Sequence, residues 1–169
     1  MSWAILGVDP SSKKLAGVAS PLDGSDPTLW LVTLPDKAPI EVRCQQARKA
    51  ARAVVRRIIR MYGVDHVGVF MEAPLVGRGG VKTTLLQSKV QGAALAGYID
   101  GGAEWAREAN ASRTKKLVIG KGNADKDEIM LWVEESYPDI FEMIEGDQDL
   151  ADACMHWHAG LDIARKAKL

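Results

Sequence analysis

Four carboxylates in this sequence stand where a charge asks for a partner. Asp9 closes the apolar run of residues 4–8 (AILGV), and Glu72 closes a second run, residues 66–71 (HVGVFM). Each run reads as a buried strand that delivers one acid at its C-terminal end, and Pro10 interrupts the first ladder directly after Asp9. A carboxylate beside apolar neighbours costs on the order of several kcal/mol unless a cation compensates it. Asp149 and Asp152 lie three residues apart on one side of a C-terminal helical pattern, a spacing at which like charges repel. Asp147 is a rival for the place of Asp149, and His156 projects in a direction between those of Asp149 and Asp152. Surface acids on helices are common, so this pair carries a weaker signal than the two strand-end acids. His66 and His158 carry less than His156. Meeting at one point, the four acids would make an all-oxygen site suited to Mg²⁺, or Mn²⁺, rather than to zinc. Two such ions about 4 Å apart activate a water and stabilise the leaving 3′ oxygen of a phosphodiester. Asp9, leaving the central strand, is the best candidate to bridge both.

The elements that must position these acids follow from periodicity. Residues 14–20 and 28–34 continue the first strand as an antiparallel meander, joined by the turn-rich PLDGSDP. Residues 40–62 contain no Pro or Gly and repeat apolar side chains at Ala47, Ala51, Val54, Val55, Ile58 and Ile59, which predicts a long amphipathic helix ended by Gly63. Its other side carries Arg48, Lys49, Arg52, Arg56 and Arg60. That side reads equally as a solvated face or as a contact surface for polyanions. Residues 73–82 (APLVGRGGVK) form a glycine-rich loop with Arg78 and Lys82. It is not a phosphate-binding P-loop, because Val81 occupies the position before the lysine that a glycine must fill.

Thr83 or Thr84 can cap a helix running to about Asp100, whose Gly92, Ala93, Ala96 and Gly97 permit close packing. A short strand over residues 104–109 follows, then a short helix over 112–118 bearing Arg113, Lys115 and Lys116. The loop GKGN leads into a helix from about Asp125 to Tyr137, with Pro138 as its stop. In the last helix, about 149–168, Leu150, Cys154, Trp157, Leu161 and Ala164 fall on one stripe at about 100° per residue, the expected buried face.

A chain of 169 residues is read as one domain, 1–169, with a full core of its own. Its 22 basic and 22 acidic side chains cancel, which excludes a globally basic nucleic-acid binder and leaves room for a locally basic face. Residues 125–152 hold many acids and one basic residue, Lys126, so acid and base are segregated along the chain. Cys44 and Cys154 lack any CxxC or Cys/His spacing and are expected to be buried thiols in a reducing compartment. No apolar stretch reaches the ~18 residues of a membrane span. A soluble cytoplasmic protein with no membrane partner is expected.

Three strands, helix, strand, helix, strand, then helices is an α/β order. It is that of the ribonuclease H-like fold: a five-stranded mixed sheet, its first three strands antiparallel, with helices on both faces. Here GVDPSSKKLAGVA resembles the first-strand motif of the RuvC-type Holliday junction resolvases. Glu72 after VFM is similar to the family's second acidic position. KKLVIGKGNADK, residues 115–126, looks like its segment from one lysine through a Gly-x-Gly-x-Ala turn to a second lysine. DLADA, residues 149–153, looks like its terminal acidic pair. The motifs occur in order over nearly the whole chain, and the protein is expected to be bacterial or bacteriophage-encoded.

The resemblance implies an endonuclease dependent on Mg²⁺, with Mn²⁺ as a substitute, two ions to a site. It would nick branched DNA such as Holliday junctions, forks and flaps, commonly as a homodimer, in concert with recombination or replication proteins. It places Asp9, Glu72, Asp149 and Asp152 at the acidic positions and Lys115 and Lys126 at the basic ones; Lys116, Arg113, Arg78 and Lys82, basic residues near these motifs in the sequence, are expected as further DNA contacts. The sequence departs from the pattern at Ser11, where the family usually has Gly. It departs again after Glu72, where Leu75 and Val76 stand in place of an aromatic wedge. Two alternatives remain beside this reading: a YqgF-like nuclease acting on RNA, and a non-catalytic protein that binds branched DNA.

Overall fold

The computed structural model describes residues 1–74 and 80–169. Strands β1 (Trp3–Pro10), β2 (Lys14–Pro21) and β3 (Thr28–Thr33) form the expected antiparallel meander. β4 (His66–Glu72) and β5 (Trp105–Ala109) join in parallel on the other side of β1. The order across the five-stranded sheet is β3-β2-β1-β4-β5, so β1 is central and antiparallel to one neighbour, parallel to the other.

Alternation along the strands divides the core into two layers. Ala4, Leu6 and Val8 of β1 and Val67, Val69 and Met71 of β4 pack against α1 (Ile40–Tyr62) and α2 (Gly80–Gly101). Ile5 of β1 packs with Ala16 and Val18 against α4 (Lys126–Ser136), α5 (Pro138–Ile144) and α6 (Gln148–Lys166). The short helix α3 (Ala111–Val118) follows β5 and is capped by the Asn110 side chain, which accepts from the Arg113 N–H. Helices therefore cover both faces of the sheet, as expected.

Two helices come unusually close to their neighbours, and glycine is the reason. A Cβ on Gly7 would lie 2.0 Å from the Trp157 backbone nitrogen, so α6 rests directly on the backbone of β1. A Cβ on Gly97 would lie 2.3 Å from the Arg48 carbonyl oxygen, which brings α2 against α1. The close packing expected of α2 is thus met within the chain at Gly97 and Gly101, whereas Gly92 faces open space.

Some expectations need correction. Thr83 and Thr84 do not start α2: the helix already includes Gly80, and the Thr84 hydroxyl donates back to the Gly80 carbonyl from inside it. α5 was not expected, because Pro138 reads as a stop. It ends α4 but also begins α5, since a proline at the first helical turn loses no hydrogen bond. Cys154 is buried and its thiol is pushed up to about 12, while Cys44 is only half-buried; both are free. Among the described residues, no helix is long and apolar enough to cross a membrane.

Candidate active site

Strand register places the first two acids. Val8 is level with Met71 in the parallel β1–β4 pair, so Asp9 and Glu72 are the next residues along two adjacent strands. Both alternate onto the face that α6 covers, because their predecessors Val8 and Met71 point into the α1/α2 layer. The Gly7–Trp157 approach then sets α6 low over β1, and its N-terminal half presents Asp152 and His156 to the same cleft.

That cleft, about 750 Å³, is floored by Asp9, Glu72, Asp152, Met155 and His156. Its walls are Pro10, Ser11 and Gln87 on one side and α3, the loop after it and the start of α4 on the other, including Ser112, Lys115, Asn123 and Lys126. Asp9 is held well above the usual carboxylate range, first by burial, then by its hydrogen bond with Glu72 and the negative charges of Glu72, Asp152 and Asp149. Asp152 is pushed up to about 6, again by burial first and by Glu72 next, against the opposing charge of Lys115. The site is therefore an excess of negative charge in a poorly solvated place, which favours any cation that reaches it.

Asp149 does not line the cleft. Its carboxylate lies 3.0 Å from Lys14 Nζ, while Asp147 accepts from the backbone N–H groups of Asp149 and Leu150 as the cap of α6. Both acids face Lys14, Asp149 more closely, and Asp147 alone caps the helix. Among the described residues no three or more His, Cys, Asp or Glu side chains form a ready-made metal shell. His156 is completely buried rather than on the helix surface. Among the described residues neither of its ring nitrogens has a hydrogen-bond partner, and burial, with the charge of Lys115, lowers its pKa to about 3. His66 stacks on Trp3 and meets Glu104, and His158 bonds the Tyr137 hydroxyl, which accounts for both structurally.

The basic residues divide in the same way. Lys115 donates to the Ala124 carbonyl at 2.7 Å, which ties α3 to the turn before α4 and holds the ammonium at the cleft wall. Lys126 is exposed at the first turn of α4, whose Asp125–Glu128 capping box fixes the start of that helix. Arg113 and Lys116 are exposed on α3 outside the cleft lining. Lys82 lines a separate groove with Ile40 and Leu85. Arg78, like Leu75 and Val76, lies outside the described residues.

Two residues of the site were not anticipated. Lys14, read only as the start of a strand, is the counter-ion of Asp149. Gln91 is fully buried on α2, and its amide donates to the carbonyls of Pro10 at 3.3 Å and Glu72 at 3.4 Å. It thereby links the two strand ends that carry Asp9 and Glu72. A polar residue on the same side of the helix as Val90, Ala94 and Tyr98 is the signal that could have marked it.

No protein-family model matches the sequence, and no curated protein aligns with it. Solved structures do match. The Thermus thermophilus RuvC structure superposes with a TM-score of 0.63 at 20% sequence identity, covering 98% of this chain and 95% of that one. The structure of T. thermophilus RuvC in complex with Holliday junction substrate gives a TM-score of 0.65 at 20% identity, covering 98% of this chain and 94% of that one. The shared property is the fold: a RuvC-like, ribonuclease H-like α/β sheet with helices on both faces.

Proposed function

We propose that this protein is a divalent-metal-dependent endonuclease that hydrolyses phosphodiesters in branched DNA. The observation that carries the reading is the meeting of Asp9, Glu72 and Asp152 at the floor of an open cleft, where burial and mutual repulsion raise the proton affinity of Asp9 and Asp152, beside Lys115 and Lys126. The donor set fits a hard cation in kind. It offers only oxygen, carries surplus charge, and has no thiolate or accessible imidazole that would favour a softer metal. Asp9, Glu72 and Asp152 would hold Mg²⁺ or Mn²⁺, with Asp149 recruited from Lys14 for a second ion. Metal held there supplies Lewis acidity and an ionised water at neutral pH.

The chain's own groups define the rest. Lys115 and Lys126 attract and place the phosphates flanking the scissile one as point charges, which lets a polyanion approach an acidic centre. The 750 Å³ opening leaves room for a strand lying across the floor. Likeness to a fold also found bound to a Holliday junction supports a branched substrate over a linear one. A homodimer is part of the proposal. Val81, Leu85 and Ile99 lie 77%, 57% and 48% exposed on one side of α2, in line with Gly92, and form an apolar stripe that a second copy would cover.

The test compares an immobile four-way junction, a fork, a 5′ flap, linear duplex and the corresponding RNA, with Mg²⁺ or Mn²⁺, using wild type and Asp9→Asn. Metal-dependent nicking of branched DNA, lost in Asp9→Asn while binding persists, is the expected outcome. Cleavage of RNA alone, or binding of branches with no cleavage, would replace the proposal with one of its alternatives.

A further inference from the structure

The strongest feature the catalytic reading does not use is the outer side of α1. Seven of the 22 basic side chains fall within Ile40–Tyr62, against one acid, Glu41. Among the described residues Arg48 is the one of the seven in an ion pair, 2.7 Å from Asp100 on α2, and Arg43 donates to the carbonyls of Ala38 and Asp36. Lys49, Arg52, Arg56 and Arg60 follow one another at intervals of three or four residues, within about 80° of arc at 100° per residue. They line a groove of about 550 Å³ together with Ala53 and Ile59. None of the four guanidinium or ammonium groups is in an ion pair among the described residues, and Arg60 bonds only the Arg56 carbonyl beneath it.

Such an arrangement works against the helix that carries it. Arg52 and Arg56, and Arg56 and Arg60, are like charges at the i,i+4 spacing, which destabilises a helix where opposite charges would support it. Arg52 and Arg56 favour the Asp100 carboxylate and Arg60 the last turn of the helix, which offsets this repulsion in part. The chain as a whole is neutral, so the excess is not a general basic character either: 11 of the 22 acids are gathered in residues 125–152, on helices that cover the other face of the sheet.

The groove is also distant from the carboxylate cleft. α1 begins near Ile40, in contact with the first turns of α2. It ends where the Tyr62 hydroxyl donates to the carbonyls of Ala19 and Asp26, at the far end of β2 from the turn that follows Asp9. The ridge thus lies on the opposite face of the sheet from Asp152 and toward its opposite end. A strand seated on the carboxylates cannot at the same point touch Arg56 or Arg60.

We propose that this ridge is a second polyanion site that binds the sugar-phosphate backbone of a separate segment of duplex DNA. Eleven residues of helix span about 16 Å, the axial reach of four to five phosphates of one strand at about 3.4 Å each. Three of the four cations are arginines, whose flat forks bond phosphate oxygens through two N–H groups at once. The small side chain of Ala53 leaves the floor of the groove low enough for a backbone to settle between the flanking cations. The contact carries no base information, because nothing in the groove reads a base edge. Its effect is to hold a duplex arm or a neighbouring duplex without regard to sequence.

The site goes beyond the nuclease reading and stands independently of it. The experiment uses Asp9→Asn protein, so that nothing is cut. It compares this background with and without Lys49→Gln, Arg52→Gln, Arg56→Gln and Arg60→Gln together, which keep the long stems and the helix propensity. Binding of a linear 30-base-pair duplex and of a four-way junction with arms too short to leave the cleft is followed by fluorescence anisotropy across a salt series. The expected result is at least a tenfold loss of duplex affinity in the quadruple variant and a fall of about three in the salt slope, with short-armed junction binding unchanged. Equal duplex affinity and slope in the two proteins would overturn the proposal. So would a ridge-dependent affinity for polyglutamate exceeding that for duplex, which would assign the surface to an acidic protein. If the junction is neither bound nor cut by the intact protein while the duplex result holds, the nuclease reading fails and the ridge remains.

Discussion

Lys14 Nζ stands 3.0 Å from the Asp149 carboxylate and 3.8 Å from that of Asp147. One ammonium, carried on the strand that follows Asp9, gathers both acids at the start of α6. A cation recruiting Asp149 toward Asp9 must compete with it. Replacing Lys14 with Met should therefore lower the metal concentration needed for half-maximal cleavage by about two- to fivefold, a small change because the pair is solvent-screened. A Mn²⁺ titration of wild type and Lys14→Met measures it. An unchanged midpoint with a lower melting temperature would make Asp149 a purely structural partner.

Gln91 joins the backbone of Pro10 to that of Glu72 through one buried amide, and its removal should reach the chemistry through those strand ends. Gln91→Leu leaves the half-buried Glu72 carbonyl without this donor and the Pro10 carbonyl with Gln87 alone, at about 1–3 kcal/mol of stability. Because Asp9 and Glu72 then lose a fixed separation, kcat should fall about tenfold or more with KM for DNA nearly unchanged. Steady-state kinetics beside thermal unfolding separate the two effects. Loss of stability alone would leave Gln91 as a core hydrogen bond.

Much of this arrangement is legible in the sequence because strands and helices have short periods. The runs ending in Asp9 and Glu72 announce their burial, and the stripe Leu150, Cys154, Trp157, Leu161 and Ala164 is buried as its spacing implies. What the sequence hides is tertiary. Lys14 meets Asp149 across 135 positions of chain, and no local pattern couples them. His156 lies off the apolar stripe by angle, yet α6 is enclosed on nearly every side by the sheet, α3 and α4, so position on the wheel does not decide exposure. Pro138 has two correct local meanings, end of one helix and start of the next, and only the fold shows that both apply.

A glycine within the central strand sets the height of α6. The Cβ of Gly7→Ala would fall 2.0 Å from the Trp157 nitrogen and 2.4 Å from the Ala153 carbonyl oxygen, both backbone atoms that cannot turn aside. Gly160→Ala meets the Ile5 Cγ2 at 2.7 Å and the Phe70 Cβ at 3.1 Å, side-chain atoms with some freedom. Gly7→Ala should cost more than about 3 kcal/mol and yield little folded protein, with Gly160→Ala in the range of about 1–3 kcal/mol. Denaturant midpoints of the two variants, read against wild type, rank them. The reverse order would mean that α6 can lift from β1 more easily than it can shift along it.

His156 makes stability depend on pH in a direction that can be worked out. It is fully buried, both ring nitrogens are unpartnered among the described residues, and its pKa falls from an ordinary 6.5 to about 3. Between those values the unfolded chain holds a proton that the folded one does not, so stability rises with pH across this window. The contribution is fully present above pH 6.5 and is lost as the pH falls toward 3, by up to about 5 kcal/mol. His156→Leu removes the titrating group and replaces two unsatisfied nitrogens with apolar atoms, so stability at pH 7 should be equal or higher. Its loss between pH 6.5 and 4 should be shallower by up to one proton per molecule. Urea unfolding of both proteins over that range isolates the effect, because the carboxylates that also titrate there are common to the two. Parallel curves would show that a donor or acceptor reaches the ring in solution and holds His156 near its ordinary pKa.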